Sequence, residues 1–269
     1  MYNILLCTDC SENARRAVDS CLYLFKDRST SYLLLYTYAI EEGGISNLVA
    51  YNDELKMEVK KCLELEVTRI RQLPYAKNIS ITARAVFGKT ENVVKRFVSK
   101  SDVDLVVVGS QGTNYSSNHV FGSTAKRILF ETTTPKLVVP NLATELSAKN
   151  QLVLVQTNQL NNQEWWSNIT ALPQIGGSSY KLILLPYTDT HKTLAEIPLF
   201  IRNQFSDIID LREASTSTIN RKISVILESQ KPDLLYLNLY DRHLGKQLLS
   251  EDYSTSSIFN STPFFIQPF

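Results

Sequence analysis

The stretch Asp104-Leu105-Val106-Val107-Val108-Gly109-Ser110 joins a short run of apolar residues to a glycine. A run this short and this apolar is typical of a parallel strand that is buried on both faces. Gly112 and Gly122 follow it, and Ser123 and Thr124 come directly after the last glycine. A buried strand, a glycine loop and a helix start, in that order, are typical of an open parallel α/β sheet that binds a ligand beyond its strand ends.

The rest of the first half alternates strand and helix signals around this stretch. Ser11 is placed to cap a helix whose apolar residues recur at helical spacing. Further helices are predicted over 53–73, around 93–98 and over 124–130, and strands over 4–7, 32–38, 79–86, 104–108 and 136–139. Alternation of this kind predicts right-handed βαβ crossovers and a doubly wound parallel sheet.

The second half repeats the same plan. Thr134-Pro135 and a later Pro140 are matched by Thr262-Pro263 and Pro268. Asp104 precedes Pro135 by 31 residues, and Asp233 precedes Pro263 by 30. We therefore predict two Rossmann-like α/β domains, 1–141 and 150–269, on either side of a short polar linker. The strands of the second domain are expected over 152–156, 181–185, 208–211, 234–239 and 264–267, with a short helix around 194–205.

Composition narrows the class of protein. Hydrophobic residues make up 43% of the 269 residues and charged residues 20%, which excludes a disordered chain. The formal net charge of +1 argues against a dedicated nucleic-acid binder. No apolar run approaches the length of a membrane span, and the first nine residues lack the basic segment of a signal peptide. With only four cysteines, we expect a cytoplasmic protein with reduced thiols.

The glycine pattern carries the functional signal. Gly109 lets a ligand approach the strand end, and Gly112 allows the loop to turn with positive φ. Gly122, Ser123 and Thr124 open a helix whose free N–H groups and positive dipole end attract phosphate. Asp9, at the end of the first strand, is placed to accept hydrogen bonds from a base or sugar. The alternative interpretation is an ordinary glycine loop followed by a capped helix.

The chain resembles the universal stress protein family in its tandem two-domain form. The strings that carry the resemblance are Ile4-Leu5-Leu6-Cys7-Thr8-Asp9-Cys10-Ser11-Glu12, the glycine pattern with its preceding strand, and Thr134-Pro135-Lys136-Leu137-Val138-Val139-Pro140. The resemblance implies two five-stranded parallel sheets of order 3-2-1-4-5, flanked by helices. Cys10 departs from the family pattern, in which many members have glycine at this position.

The resemblance also implies ATP binding in members that keep the glycine motif. By that likeness Asp9 and the backbone near Tyr38 face the adenosine, and Gly109 faces the ribose. The phosphates, with Mg²⁺ as their counter-ion, are expected to face Gly112, Gly122, Ser123 and Thr124. No general base or arginine finger is evident near the loop, so any hydrolysis is expected to be slow.

The second domain departs further from the motif. Its fourth strand is followed by Asn238-Leu239-Tyr240-Asp241, without the two early glycines, and Thr157 or Asn158 stands where the first domain has Asp9. We expect this domain to bind no triphosphate and to act as a structural partner. The family likeness predicts that Lys136–Val139 pairs with residues 264–267, an arrangement that allows a further homodimer without requiring one.

Two other functions are open at this point. A nucleotide-independent interaction scaffold would need none of the phosphate contacts. The other is a small-molecule or redox enzyme that uses the same cleft, and the redox chemistry would use Cys7-x2-Cys10, which lies between a strand and a helix as redox pairs do. The three histidines of the chain make no metal-ligand spacing, so no metal centre of the protein's own is predicted.

Overall fold

The computed structural model describes residues 1–39, 48–76, 79–111, 121–143, 149–156, 179–186, 197–212, 216–238 and 261–266. The chain divides into two compact units. The first comprises Met1–Ser117 with Phe121–Asn141, and the second carries Leu142–Phe269. No helix within the described ranges is long and apolar enough to cross a membrane. Residues 144–148 of the predicted linker lie outside these ranges.

The first unit is a parallel sheet with a helix between every two successive strands. Its elements are β1 (Tyr2–Thr8), α1 (Glu12–Leu24), β2 (Thr30–Tyr38), α2 (Leu48–Arg71), β3 (Ser80–Phe87), α3 (Thr90–Lys100), β4 (Leu105–Gly109), α4 (Ser123–Glu131) and β5 (Lys136–Val139). The strand order is β3-β2-β1-β4-β5 and all four pairings are parallel. The predicted order 3-2-1-4-5 is confirmed.

The second unit repeats this strand order. Its elements are β6 (Asn150–Gln156), β7 (Ser179–Leu185), α5 (Leu199–Arg202), β8 (Asp207–Asp210), α6 (Thr216–Gln230), β9 (Leu234–Asn238) and β10 (Phe264–Ile266). The parallel pairings give the order β8-β7-β6-β9-β10. The short helix expected around 194–205 is a single turn.

The aspartate that marks each half of the sequence has the same role in both units. The Asp104 carboxylate accepts the backbone N–H of Asn3 at 2.7 Å, at the start of β1. The Asp233 carboxylate accepts the N–H of Asn150 at 3.0 Å, at the start of β6. Each aspartate thus joins the beginning of the fourth strand of its unit to the beginning of the first, which explains the repeat physically.

A buried carboxylate joins α1 to α2. The side chain of Glu66 is only 1% exposed and accepts hydrogen bonds from Arg15 and Arg69, both at 3.0 Å. Arg69 also donates to the carboxylate of Asp19 at 2.7 Å. Burial alone would lower the pKa of Arg69, but its hydrogen bonds with Asp19 and Glu66 raise it. The guanidinium therefore stays charged and holds both carboxylates in place.

Replacing Glu66 by Gln tests this buried network. We expect Glu66→Gln to lower the free energy of unfolding by about 2–4 kcal/mol, because two arginines lose their buried counter-charge. Glu12→Gln is the matched control, since Glu12 pairs with Arg16 but is 80% exposed, and it should cost less than about 0.5 kcal/mol. Urea unfolding measures both values. Equal losses in the two variants would show that the burial of Glu66 adds nothing.

Candidate functional site

The sequence-predicted residues converge on a cleft at the carboxyl ends of β1 and β4. This β1–β4 cleft has a volume of about 290 Å³. It is lined by residues 7–9 after β1, 108–111 at the end of β4 and 122–125 at the start of α4, together with Ala14, Thr37, Thr90 and Ile128. Because β1 pairs with β2 on one side and β4 on the other, the cleft lies at the switch point where parallel sheets open to ligands.

Five of the seven predicted site residues line the β1–β4 cleft: Asp9, Gly109, Gly122, Ser123 and Thr124. Tyr38 is not among the lining residues. It is 8% exposed, its ring packs edge-on against Phe87, and its carbonyl accepts the N–H of Gly88 at 2.8 Å. The preceding residue, Thr37, lines the cleft instead. Gly112 lies outside the described residues.

Helix α4 begins without a side-chain cap. Its N-cap residue is Gly122, which has no side chain to bond the first-turn N–H groups. Helix α1 differs, because the Ser11 hydroxyl accepts the N–H of Ala14 at 3.2 Å, as predicted. The N–H of Gly122 itself donates to the carbonyl of Ser110 at 2.8 Å and so closes the base of the glycine loop. Among the described residues no side chain caps the first-turn amides of α4, which face the cleft as helix N-termini face anions in other proteins.

Positive charge in this cleft comes from the backbone rather than from side chains. Residues 109–125 contain neither Lys nor Arg, and none of the described lining residues is basic. The carboxylate of Asp9 accepts the N–H of Ser11 at 3.0 Å, so Asp9 also stabilises the turn into α1. Burial and, after it, the negative charges of Asp9 and Glu58 raise the pKa of Tyr36. The cleft therefore has an acidic end at β1 and an amide-rich end at α4.

The cysteines differ from the sequence prediction. Cys10 forms a disulfide with Cys62 of α2, so the expectation of reduced thiols is wrong for these two residues. The proposed redox pair Cys7 and Cys10 is wrong as well. Cys7 lines the cleft as a free thiol, and burial raises its pKa to about 12, which keeps it protonated at neutral pH.

The backbone at Cys10 explains why glycine is suited to this position. Its φ is 58°, in the left-handed region that side chains other than glycine rarely adopt. Its N–H donates to the Thr8 hydroxyl at 3.0 Å, and the bond to Cys62 ties the same turn to α2. The disulfide therefore stabilises a strained turn directly beside Asp9.

Sequence reasoning missed two contacts at the cleft. The side-chain amide of Asn13 donates to the carbonyl of Gln111 at 2.7 Å. The hydroxyls of Thr37 and Thr90 lie 2.6 Å apart. Asn13 could have been noticed, because it lies four residues before Ala17 on the buried face of α1. The threonine pair had no such signal in the sequence.

Opening the disulfide tests its role. We expect Cys62→Ser to lower the free energy of unfolding by about 2–4 kcal/mol, because the bond no longer restricts the unfolded chain across 52 residues. A dithiol reductant should lower the melting temperature of the wild-type protein to that of the variant. The variant is its own control, since the reductant should not change its melting temperature. If the reductant leaves the melting temperature of the wild-type protein unchanged, the disulfide does not stabilise the fold.

Comparison with known proteins shows which family and which solved structures the chain is similar to. Residues 1–140 match the model of the universal stress protein family. A universal stress protein from Archaeoglobus fulgidus DSM 4304 is 15% identical, with a TM-score of 0.70 over 99% of this chain and 96% of that one. A putative universal stress protein from Pseudomonas aeruginosa UCBPP-PA14 is 10% identical, with a TM-score of 0.56 over 100% of this chain and 93% of that one.

A third structure is a universal stress protein in complex with cAMP, 18% identical, with a TM-score of 0.39 over 51% of this chain and 95% of that one. At these identities the first two structures show the fold alone, and nothing is inferred from the third. The family model covers more than half of the chain, and its match falls on the unit that carries the glycine motif and the β1–β4 cleft. The chain therefore belongs to the universal stress protein family.

Proposed function

We propose that the first unit binds ATP in the β1–β4 cleft as a regulatory ligand. The observation that carries the proposal is the uncapped start of α4 at the switch point of the sheet. Its first-turn amides and its dipole favour an anion, and the family motif Gly109-x2-Gly112-x9-Gly122-Ser123 surrounds it. The family likeness supplies the expectation that this anion is an adenine nucleotide.

The ligand is proposed to lie with its phosphates at α4 and its adenosine towards β1 and β2. Ser123 and Thr124 supply N–H and hydroxyl donors at the phosphate end, and Gly122, whose own N–H bonds the Ser110 carbonyl, leaves the space for a phosphate. Asp9 faces the adenosine, where a carboxylate accepts hydrogen bonds without repelling phosphate. Thr37 is added to the contacts proposed for the backbone near Tyr38, because Thr37 lines the cleft.

The charge of the cleft favours binding over hydrolysis. Since residues 109–125 contain neither Lys nor Arg and none of the described lining residues is basic, we propose that the phosphate charge is balanced by backbone N–H groups and by Mg²⁺ that accompanies the nucleotide. Among the described lining residues Asp9 is the only carboxylate, and it lies at the opposite end from α4. Among the described lining residues a γ-phosphate at α4 would thus meet neither a general base nor an arginine, and we propose slow hydrolysis at most.

The second unit is proposed to bind no triphosphate. Asn238 is the last residue of β9, as Gly109 is the last residue of β4. The second unit therefore has a side chain at the position where the first unit has none. Asn238 is 5% exposed, and its side-chain nitrogen has no hydrogen-bond partner among the described residues. Leu239, Tyr240 and Asp241, and the Asp9 counterparts Thr157 and Asn158, lie outside those residues.

The second unit is proposed to act as a structural partner within the chain. Within its own unit, β5 pairs with β4 and β10 pairs with β9, each along one edge, and an open strand edge favours pairing. We propose that Lys136–Val139 lies beside residues 264–267, and a crystal structure with these strands apart would refute it. A homodimer is compatible with this arrangement. A cytoplasmic location, which we also propose, would expose the Cys10–Cys62 bond to reductants.

Valine at Gly122 tests the proposed site. Gly122 has φ −65° and ψ 157°, which any residue adopts, so Gly122→Val should fold while its side chain fills the space for phosphate. By calorimetry we expect the wild-type chain to bind one ATP and the variant to bind none. Asn238→Ala, at the end of β9, is the control and should bind as the wild type does. ATP at 100 times its dissociation constant should stabilise the wild type by about 2.7 kcal/mol.

Each other outcome of this experiment has a definite meaning. If Gly122→Val binds ATP as tightly as the wild type does, the phosphates do not bind at the start of α4. A stoichiometry near two would show that the second unit also binds the nucleotide. A wild-type chain that binds no ATP would refute the proposed function and favour the nucleotide-independent scaffold.

A further inference from the structure

Asn13 connects the two loops that form the β1–β4 cleft. It is the second residue of α1 and is 6% exposed. Its Nδ2 atom donates to the carbonyl of Gln111 at 2.7 Å, across 98 residues of sequence. Gln111 directly precedes Gly112. One side chain from the β1–α1 segment therefore holds the main chain at the start of the glycine loop.

The lack of a side chain at Gly109 makes room for this contact. A Cβ atom at Gly109 would lie 2.8 Å from Nδ2 of Asn13 and 3.1 Å from its Cγ. The backbone carbonyl carbon of Asn13 would lie at 3.4 Å, an ordinary contact distance. An alanine at this position would therefore displace the Asn13 amide, the group that bonds Gln111, and leave α1 itself in place.

The Asn13 amide is not fully satisfied by the described residues. Because a carbonyl must receive a donor, the contact with Gln111 fixes which end of the amide is nitrogen. Its Oδ1 atom is buried without a hydrogen-bond partner among the described residues. A buried acceptor without a partner costs stability. The contact that Nδ2 makes is then the reason for an asparagine here, since an apolar residue of similar size would avoid this cost.

We propose that Asn13 is a positioning residue of the cleft, and that residue 109 is glycine because Asn13 occupies the space beside it. The amide holds the Gln111 carbonyl and thereby directs the start of the glycine loop towards the ligand. This inference rests on the proposed nucleotide site, and it assigns Gly109 a different role from the ribose contact that the family likeness implies.

A double-mutant cycle separates the two roles of Gly109. In the full chain, Asn13→Ala and Gly109→Ala should each weaken ATP binding about tenfold, because each removes the contact with Gln111. The double variant should be no weaker than either single variant, since Asn13→Ala leaves space for the new Cβ. If Gly109 must instead lack a side chain so that the ribose can contact it, adding Gly109→Ala to the Asn13→Ala variant will weaken ATP binding further. Losses that multiply to about a hundredfold would overturn the proposal.

Asn13→Leu separates positioning from packing. Leucine has the same branched shape and the same number of side-chain non-hydrogen atoms but no donor, so this variant should lose about tenfold in ATP affinity while its free energy of unfolding without nucleotide stays close to the wild-type value. Combined with Gly109→Ala, Asn13→Leu should not remove the loss of stability that Gly109→Ala causes, because the leucine side chain still fills the space beside residue 109. If Asn13→Leu binds ATP with wild-type affinity, the hydrogen bond from Asn13 to Gln111 does not position the glycine loop for the ligand.

Two measurements without nucleotide keep this proposal distinct from the proposed function. Gly109→Ala should destabilise the wild-type fold but not the Asn13→Ala variant. Hydrogen exchange of the loop amides from Gly112 onward should be faster in Asn13→Leu than in the wild type. If the wild type binds no ATP, the proposed function fails, and these two results still decide whether Asn13 holds the loop. Additive destabilisation together with unchanged exchange would reject the inference.

Discussion

Strand β1 is hydrogen-bonded to β2 along one edge and to β4 along the other, and the site depends on this double pairing. Leu5 and Leu6, at its centre, are fully buried. Because the chain leaves β1 and β4 at the same end of the sheet, the loops that follow these strands face one another. The β1–β4 cleft is thus a consequence of strand order, and the side chains at its rim determine what it can hold.

The chemistry of the cleft comes mainly from backbone groups. The start of α4 has no side-chain cap, and the adjoining stretch 109–125 contains neither Lys nor Arg. Helix N-termini in other proteins bind anions through converging dipoles of this kind. Among the described residues that line the cleft there is neither Lys nor Arg, the side chains that often stabilise the transition state of phosphoryl transfer.

Contacts between distant segments of the first unit hold this backbone in place. The Cys10–Cys62 bond and the buried Glu66 both tie the region around α1 to α2, the first at the end of α1 nearest the cleft and the second further along both helices. Asn13 ties the same helix to the loop after β4. Helix α1 is therefore connected to both of its neighbours at the point where the cleft opens, which limits how far the loops can move apart.

The sequence by itself determined the order of strands and helices, because apolar periodicity reports which residues face a core. With the family likeness it also led to the strand order, and to Asp9, Gly109, Gly122, Ser123 and Thr124, which share one cleft. Apolar periodicity gave no sign that Glu66 is buried, because it reports only apolar residues. The pairing of Cys10 was also wrong, because the nearest cysteine in sequence is not the nearest in space.

Only the tertiary structure decided which distant groups meet. Cys10 and Cys62 are 52 residues apart, and Asn13 and Gln111 are 98 apart. A local pattern shows that a residue faces inward, but its partner depends on how whole helices pack across the sheet. For the same reason the glycine motif indicated a ligand at Gly109, whereas the folded chain places the side chain of Asn13 against it.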